Sequence, residues 1–378
     1  MKKLLIALTL IVSIAHANTI QFDDTIIPSA PKLKADAYIL MNAVNGDVIS
    51  EKNSHKVHAP ASLTKLMTLY IIENMVAQGK IKLTDEVNIT EESYQAEGSS
   101  MFLELNSRVT IDELINGVIV ASGNDAALAL AIHAAGSIDA FVDMMNQMAE
   151  QWDLENTHFQ NPTGIPHSKH YSTAYDLAKI AQHIIYDHPE FYQRYQKLEM
   201  KHNNITQSNR NHLLKKLSYV DGLKTGHTKE AGYCLVSSGI QNGMRLIAIT
   251  LGSPTDHFRD VDNEKLLTYG FRFFENITLL DDESINIPVW NGTSDHVALK
   301  TYKPLNITIP QGNQKDLTII SSHPTSLTAP HNAGEQHGSI KVYFKNQLLA
   351  SESLFTQTET DETHIFGKIS SQIKRIFS

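Results

Sequence analysis

Apolar and polar positions alternate between residues 37 and 51 on either side of Asn45-Gly46, the pattern of a two-stranded hairpin closed by a tight turn. A polar loop follows and ends at Pro60. Beyond it Leu63, Leu66, Met67, Tyr70, Ile71 and Met75 recur at helical spacing, which predicts a helix with one apolar stripe. Thr110-Ile111-Asp112-Glu113 is a capping box opening a second apolar helix. That helix breaks at Ser122-Gly123-Asn124, and Asn124 or Asp125 is positioned to cap an alanine-rich helix over Ala126–Ala135. Asn161-Pro162-Thr163-Gly164 reads as a turn, and Thr173 starts a helix running towards Ile185. Two strand-like runs, Gly232 to Gly239 and Met244 to Gly252, hinge at Asn242-Gly243, and a helix is expected from about Asp260 to Phe274.

The pattern then changes. From Ile285 to Leu354 short β-rich runs alternate with Asn, Gly and Pro, which predicts a small all-β domain. Gln357 to Thr363 reads as a polar, acidic linker. Ile365, Phe366, Ile369, Ile373, Ile376 and Phe377 then fall on one helical stripe, with Lys368, Lys374 and Arg375 outside it. Such a segment suits a helix lying in a membrane interface. At the other end, Lys2-Lys3, the apolar run Leu4–Ile14 and Ala15-His16-Ala17 have the form of a secretory signal peptide. The expected division is therefore a leader at 1–17, a catalytic domain at 18–280, a β-rich domain at 281–356, and a linker with an amphipathic helix at 357–378.

Composition narrows the function. The 378 residues suit two or three domains, and the formal charge of −9 makes a nucleic-acid partner a poor fit. Cys234, the one cysteine, lies in an apolar run and reads as a small buried hydrophobe. Among 18 histidines there is no H-E-x-x-H, and the pairs His55/His58 and His167/His170 sit in polar loop sequence, where solvated side chains are expected. Neither a metal nor a cofactor is called for.

The chemistry lies in three short motifs in one order: Ser62-Leu63-Thr64-Lys65, Ser122-Gly123-Asn124 and Lys224-Thr225-Gly226. Each alone is weak. S-x-x-K recurs at Ser29–Lys32 and Ser371–Lys374, and S-x-N at Ser284–Asn286, although K-T-G occurs once. A serine hydroxyl needs a base, and Lys65, one helical turn from Ser62, serves if burial and a second cation depress its pKa. Lys224 is the expected second cation. Ser122 and Asn124, where a helix stops, would project into a cleft. Lys224 and Thr225, on an edge strand, would hold a substrate carboxylate. Gly226 would allow close backbone approach, and the His227 N–H would complete an oxyanion hole with that of Ser62.

With these motifs the chain resembles the low-molecular-weight penicillin-binding proteins, the serine-type D-alanyl-D-alanine carboxypeptidases. The likeness extends to Ala59-Pro60-Ala61-Ser62, Gly98-Ser99-Ser100, Asn156-Thr157-His158-Phe159, Asn209-Arg210-Asn211, Asp221-Gly222, Lys224–Thr228 and Gly270–Phe274. It implies an α+β, β-lactamase/transpeptidase-like catalytic domain, with an antiparallel sheet flanked by helices. A small all-β domain and an amphipathic helix would follow. It implies Ser62 as nucleophile, Lys65 as proton acceptor, Ser122 and Asn124 as the second catalytic element, and Lys224 and Thr225 at the terminal carboxylate. Arg210 matches a family arginine near the site, and Arg259 is a candidate for another. The substrate would be the peptidoglycan stem peptide, with β-lactams acylating the same serine. The enzyme would be exported and held on the periplasmic face of the inner membrane through residues 363–378. The alternatives are a β-lactamase or transpeptidase of the same superfamily, or a non-catalytic wall-binding protein. Against a β-lactamase, the second motif is Ser-Gly-Asn rather than Ser-Asp-Asn and no deacylating glutamate can be assigned. The Asn161–Gly164 segment is one the family varies, so it would tune substrate access.

Overall fold

The computed structural model describes residues 19–20, 22, 25–280 and 283–364; the leader at 1–17 and the amphipathic stripe from Ile365 onward lie outside the described residues. Five antiparallel strands form the central sheet. They are β1 (Ala37–Asn42), β2 (Val48–Lys52), β3 (Val220–Thr228), β4 (Gly232–Gln241) and β5 (Met244–Ser253), in the order β2-β1-β5-β4-β3. The Asn45-Gly46 and Asn242-Gly243 hairpins form as expected, because Gly46 and Gly243 take the left-handed conformation that tight turns need. The strand carrying Lys224-Thr225-Gly226 is the β3 edge of the sheet.

A short 3-10 turn, Ala61–Thr64, leads into α1 (Lys65–Ala77). This helix differs from the single stripe expected. Every residue from Lys65 to Glu73 is buried, because α1 packs within the helical layer as well as against the sheet side. The capping box at Thr110 forms in full, starting α2 (Ile111–Asn116). The helix then widens into a π-helical segment, Gly117–Ala121, and stops at Ser122, whose φ of 59° is left-handed. The next helix, α3 (Asn124–Ala135), is capped by Gly123 without a side-chain bond, so neither Asn124 nor Asp125 caps it. Both side chains are used elsewhere. Helices α4 (Ile138–Gln151) and α5 (Ala174–Tyr186) complete this layer, and α6 (Asp256–Phe273) packs on the other side of the sheet. Helix α6 starts four residues earlier than expected because the Thr255 hydroxyl caps the N–H of Phe258.

The β-rich part begins at Phe274, ahead of residue 281, since Phe274–Leu279 pairs antiparallel with Leu305–Pro310. A six-stranded sheet follows, and its apolar side joins the core beneath the central sheet, where Leu40, Leu246, Phe274, Ile307 and Phe344 belong to one cluster. The segment 357–363 is not a free linker. Thr360 is 2% exposed and exchanges backbone hydrogen bonds with His331, while Thr293 donates to Asp361 and Thr363 to Asn291. Its polar composition hid this, because the attachment runs through backbone groups rather than apolar side chains.

Candidate active site

Pro60 and the 3-10 turn bring Ser62 to the mouth of a cavity of about 340 Å³, lined by Ser62, Ser99, Ser122, Arg210, Thr225 and Arg259 among others. Ala61, just before the serine, is held at φ 49°. A non-glycine residue there costs energy and is kept only where its surroundings demand it. One turn on, the Lys65 Nζ lies 3.0 Å from Ser62 Oγ and donates to the Thr163 carbonyl at 2.6 Å. Lys65 is fully buried. Burial, reinforced by the Arg210 charge and opposed by Asp125, depresses its pKa to about 7. Arg210 thus joins Lys224 as a cation near Lys65.

A second amine–hydroxyl pair stands opposite. Lys224 Nζ donates to Ser122 Oγ at 2.8 Å and to the Thr225 carbonyl at 3.0 Å. Burial, then the charges of Lys65, Arg210 and Arg259, push its pKa well below the ordinary lysine value. Lys224 is 2% exposed, with its amine held by Ser122 and the Thr225 carbonyl. Thr225, Arg210 and Arg259 line the cavity. Arg210 Nη1 donates to Ser99 Oγ at 2.8 Å, and Arg259 Nη2 donates to the Arg210 carbonyl.

Gly226 lies where β3 meets the nucleophile turn. A Cβ there would come within 3.1 Å of the Pro60 carbonyl and 3.3 Å of the Leu63 nitrogen. His227, on the cavity lining, packs its ring against Tyr233, tilted by 31° at 4.0 Å between centroids. Asn124 does not project freely into the cleft as expected. Its Nδ2 donates to the Glu97 carbonyl at 2.5 Å and its backbone N–H to the Ser99 carbonyl, while Oδ1 is buried without a hydrogen-bond partner among the described residues. Asp125 accepts from the Ser100 hydroxyl and from the N–H groups of Met101 and Leu103, fixing the 97–103 loop that carries Ser99.

Sequence reasoning missed several parts. The Thr163 carbonyl on Lys65 has no side-chain signature. His212 and Asp256 also line the cavity, with His212 Nδ1 2.8 Å from Asp260 Oδ2. His170, expected to be solvated, is 4% exposed. Its Nδ1 accepts from the Gln160 N–H, which leaves the ring proton on Nε2 to donate to Thr64 Oγ1 at 2.8 Å. Burial and the charges of His158, His167 and Lys65 pull its pKa down to about 4, so the ring is neutral and pins the 160–170 loop to the nucleophile turn. Cys234 is buried, as the sequence suggested.

Comparison with known proteins agrees with this geometry. Residues 24–255 match the family described as D-alanyl-D-alanine carboxypeptidase, and residues 274–362 match the penicillin-binding protein 5 C-terminal domain. The chain belongs to the D-alanyl-D-alanine carboxypeptidase family. It is 40% identical to the D-alanyl-D-alanine carboxypeptidase DacA of Escherichia coli (strain K12), over 98% of this chain and 94% of that protein. Among solved structures it resembles penicillin-binding protein 5 from Haemophilus influenzae, with a TM-score of 0.84 and 38% identity over 89% of this chain and all of that one. The DacD carboxypeptidase from Francisella tularensis gives a TM-score of 0.74 at 30% identity, covering 91% of this chain and 98% of that one. The chain is a serine-type, penicillin-binding D-alanyl-D-alanine carboxypeptidase, and the α+β fold with an all-β C-terminal part is the expected one.

The seat of the 160–170 loop is testable by one methyl group. Gly164 has φ 88°, and a Cβ there would fall 1.8 Å from the Ala61 carbonyl oxygen, a backbone atom that cannot swing aside. Gly164→Ala should therefore lower stability by about 2 kcal/mol or more, from overpacking and backbone strain together. Urea denaturation of the two proteins measures it, and equal midpoints would show that the loop is not seated on the nucleophile turn.

Proposed function

We propose that Ser62 attacks the carbonyl between the last two D-alanines of a peptidoglycan stem peptide, with Lys65 taking its proton. The observation that carries this is the pairing of Ser62 Oγ with a fully buried amine at 3.0 Å, beside a second such pair at 2.8 Å. With a pKa near 7, a large fraction of Lys65 is unprotonated at neutral pH and available as general base. The backbone N–H groups of Ser62 and His227 are the donors for the developing oxyanion. Arg210, Thr225 and Arg259, which line the cavity, take the terminal carboxylate. Ser122, held by Lys224, relays to the departing D-alanine amine the proton that Lys65 took from Ser62. Asn124, bonded to the Glu97 and Ser99 carbonyls, holds the loop that carries Ser99 beside the nucleophile. Water then hydrolyses the acyl-enzyme. A β-lactam, which presents a carbonyl and a carboxylate to the same groups, acylates Ser62 as well.

Ser62→Ala should abolish both D-alanine release and covalent penicillin labelling while leaving the thermal midpoint within a few degrees of wild type. Label persisting in that variant would move the nucleophile elsewhere.

Residues 1–17 act as an export signal, and residues 363–378 associate with the outer face of the cytoplasmic membrane, supported by the apolar stripe flanked by Lys368, Lys374 and Arg375. Because Thr360 to Thr363 are bonded into the β-rich part, the test truncation ends after His364. That protein should stay folded, cleave a small peptide at the full rate and remain in solution, whereas the mature chain through Ser378 should sediment with vesicles containing anionic lipid. Equal vesicle binding by both forms would contradict the anchor.

A further inference from the structure

A neutral lysine amine has two N–H donors and one lone pair, free to rotate about the Cε–Nζ bond. To act as a base on Ser62, Lys65 must keep the lone pair aimed at Oγ. The Thr163 carbonyl, 2.6 Å from Nζ, draws one N–H away from the serine and so sets that rotation. The position of this carbonyl is in turn set by the Asn161–Ile165 turn.

One side chain closes that turn. Asn161 Oδ1 accepts from the N–H groups of Thr163 (3.2 Å), Gly164 (2.7 Å) and Ile165 (3.1 Å) and from the Thr163 hydroxyl (2.9 Å). Its Nδ2 donates back to the Ile165 carbonyl at 2.9 Å. On the far side, the Thr68 hydroxyl of α1 donates to the Pro162 carbonyl at 2.7 Å, tying the turn to the helix that carries Lys65. Asn161 itself is half-buried, while Pro162, Thr163 and Gly164 are buried. It makes no bond to Ser62 or Lys65.

We propose that Asn161 is a positioning residue for acylation, its side chain fixing the turn whose Thr163 carbonyl aims the Lys65 lone pair at Ser62. The proposal rests on the reading of Ser62 as nucleophile and Lys65 as base. A carbonyl misplaced by about an ångström lets the amine rotate without altering the cavity walls that bind the ligand. The loss then falls on the chemical step. A small displacement of a positioned group costs on the order of 100-fold in rate.

The test is stopped-flow acylation of the full mature protein by a chromogenic β-lactam, separating the dissociation constant of the initial complex from the acylation rate constant. Rates are referred to active sites titrated by the label. Wild-type labelling of Ser62, mapped by peptide mass spectrometry, tests the underlying reading. The ratio of variant to wild type tests Asn161. Asn161→Ala should lower the acylation rate constant roughly 10- to 100-fold, with the initial dissociation constant within about twofold of wild type. Asn161→Asp keeps the acceptor for the turn but adds a negative charge near Lys65, which favours the ammonium. Its rate should recover towards wild type at high pH, with the ascending limb of the pH profile displaced upward. An acylation constant within about twofold of wild type in Asn161→Ala would overturn the proposal, as would an equal loss in binding and rate. An Asn161→Asp profile without upward displacement would overturn it too, and that variant alone decides the matter if the alanine protein does not fold.

Discussion

Desolvation of two amines governs this site. An ammonium in water is comfortable and useless as a base; the same group shut away from water loses its hydration and gives up its proton at a lower pH. Lys65 and Lys224 are both buried, each within hydrogen-bond distance of a serine hydroxyl. The nearby carboxyl groups do little to reverse this. Asp125 favours the Lys65 ammonium but is engaged by the 97–103 loop. Glu73, two turns along α1, is itself buried and pushed up to about 8, so at neutral pH it is largely a neutral acid.

The fold exists around that requirement. Helix α1 is enclosed almost all round because it must take Lys65 out of water. The π-helical stretch Gly117–Ala121 and the left-handed Ser122 set that hydroxyl against Lys224, where a regular helix would have carried it onward. Edge strand β3 comes close enough to the nucleophile turn that only glycine fits without movement at 226. The 160–170 loop, held by His170 and Asn161, brings the Thr163 carbonyl up to the base.

Much of this was legible in the sequence. The two Asn-Gly hairpins, the Thr110 capping box and the break at Ser122 are local signals, and local energetics decided them. The ordered motifs located the Ser62–Lys65 pair, because helical spacing fixes it, but not the pairing of Ser122 with Lys224. What could not be read depends on distant contacts. A depressed lysine pKa needs the whole enclosing core. The burial of His170 in a polar loop depends on Thr64, over a hundred residues earlier. Thr360 is buried through backbone bonds that composition does not encode. Lys224 reads as a clamp from its motif, and its bond to Ser122, about a hundred residues earlier, has no signature in the sequence.

The central claim, that burial rather than surface charge makes Lys65 a base, is tested by NMR titration of its side chain in the folded protein. Lysine carrying 13C at Cε and 15N at Nζ is incorporated, and the resonance is assigned by its loss in Lys65→Arg. A midpoint at about 7, scarcely moved by raising the salt to about 1 M, is the result expected, since ions screen exposed charges but not a desolvation penalty. A midpoint near the ordinary lysine value of 10.5 would contradict the account, as would one that climbs steeply with salt.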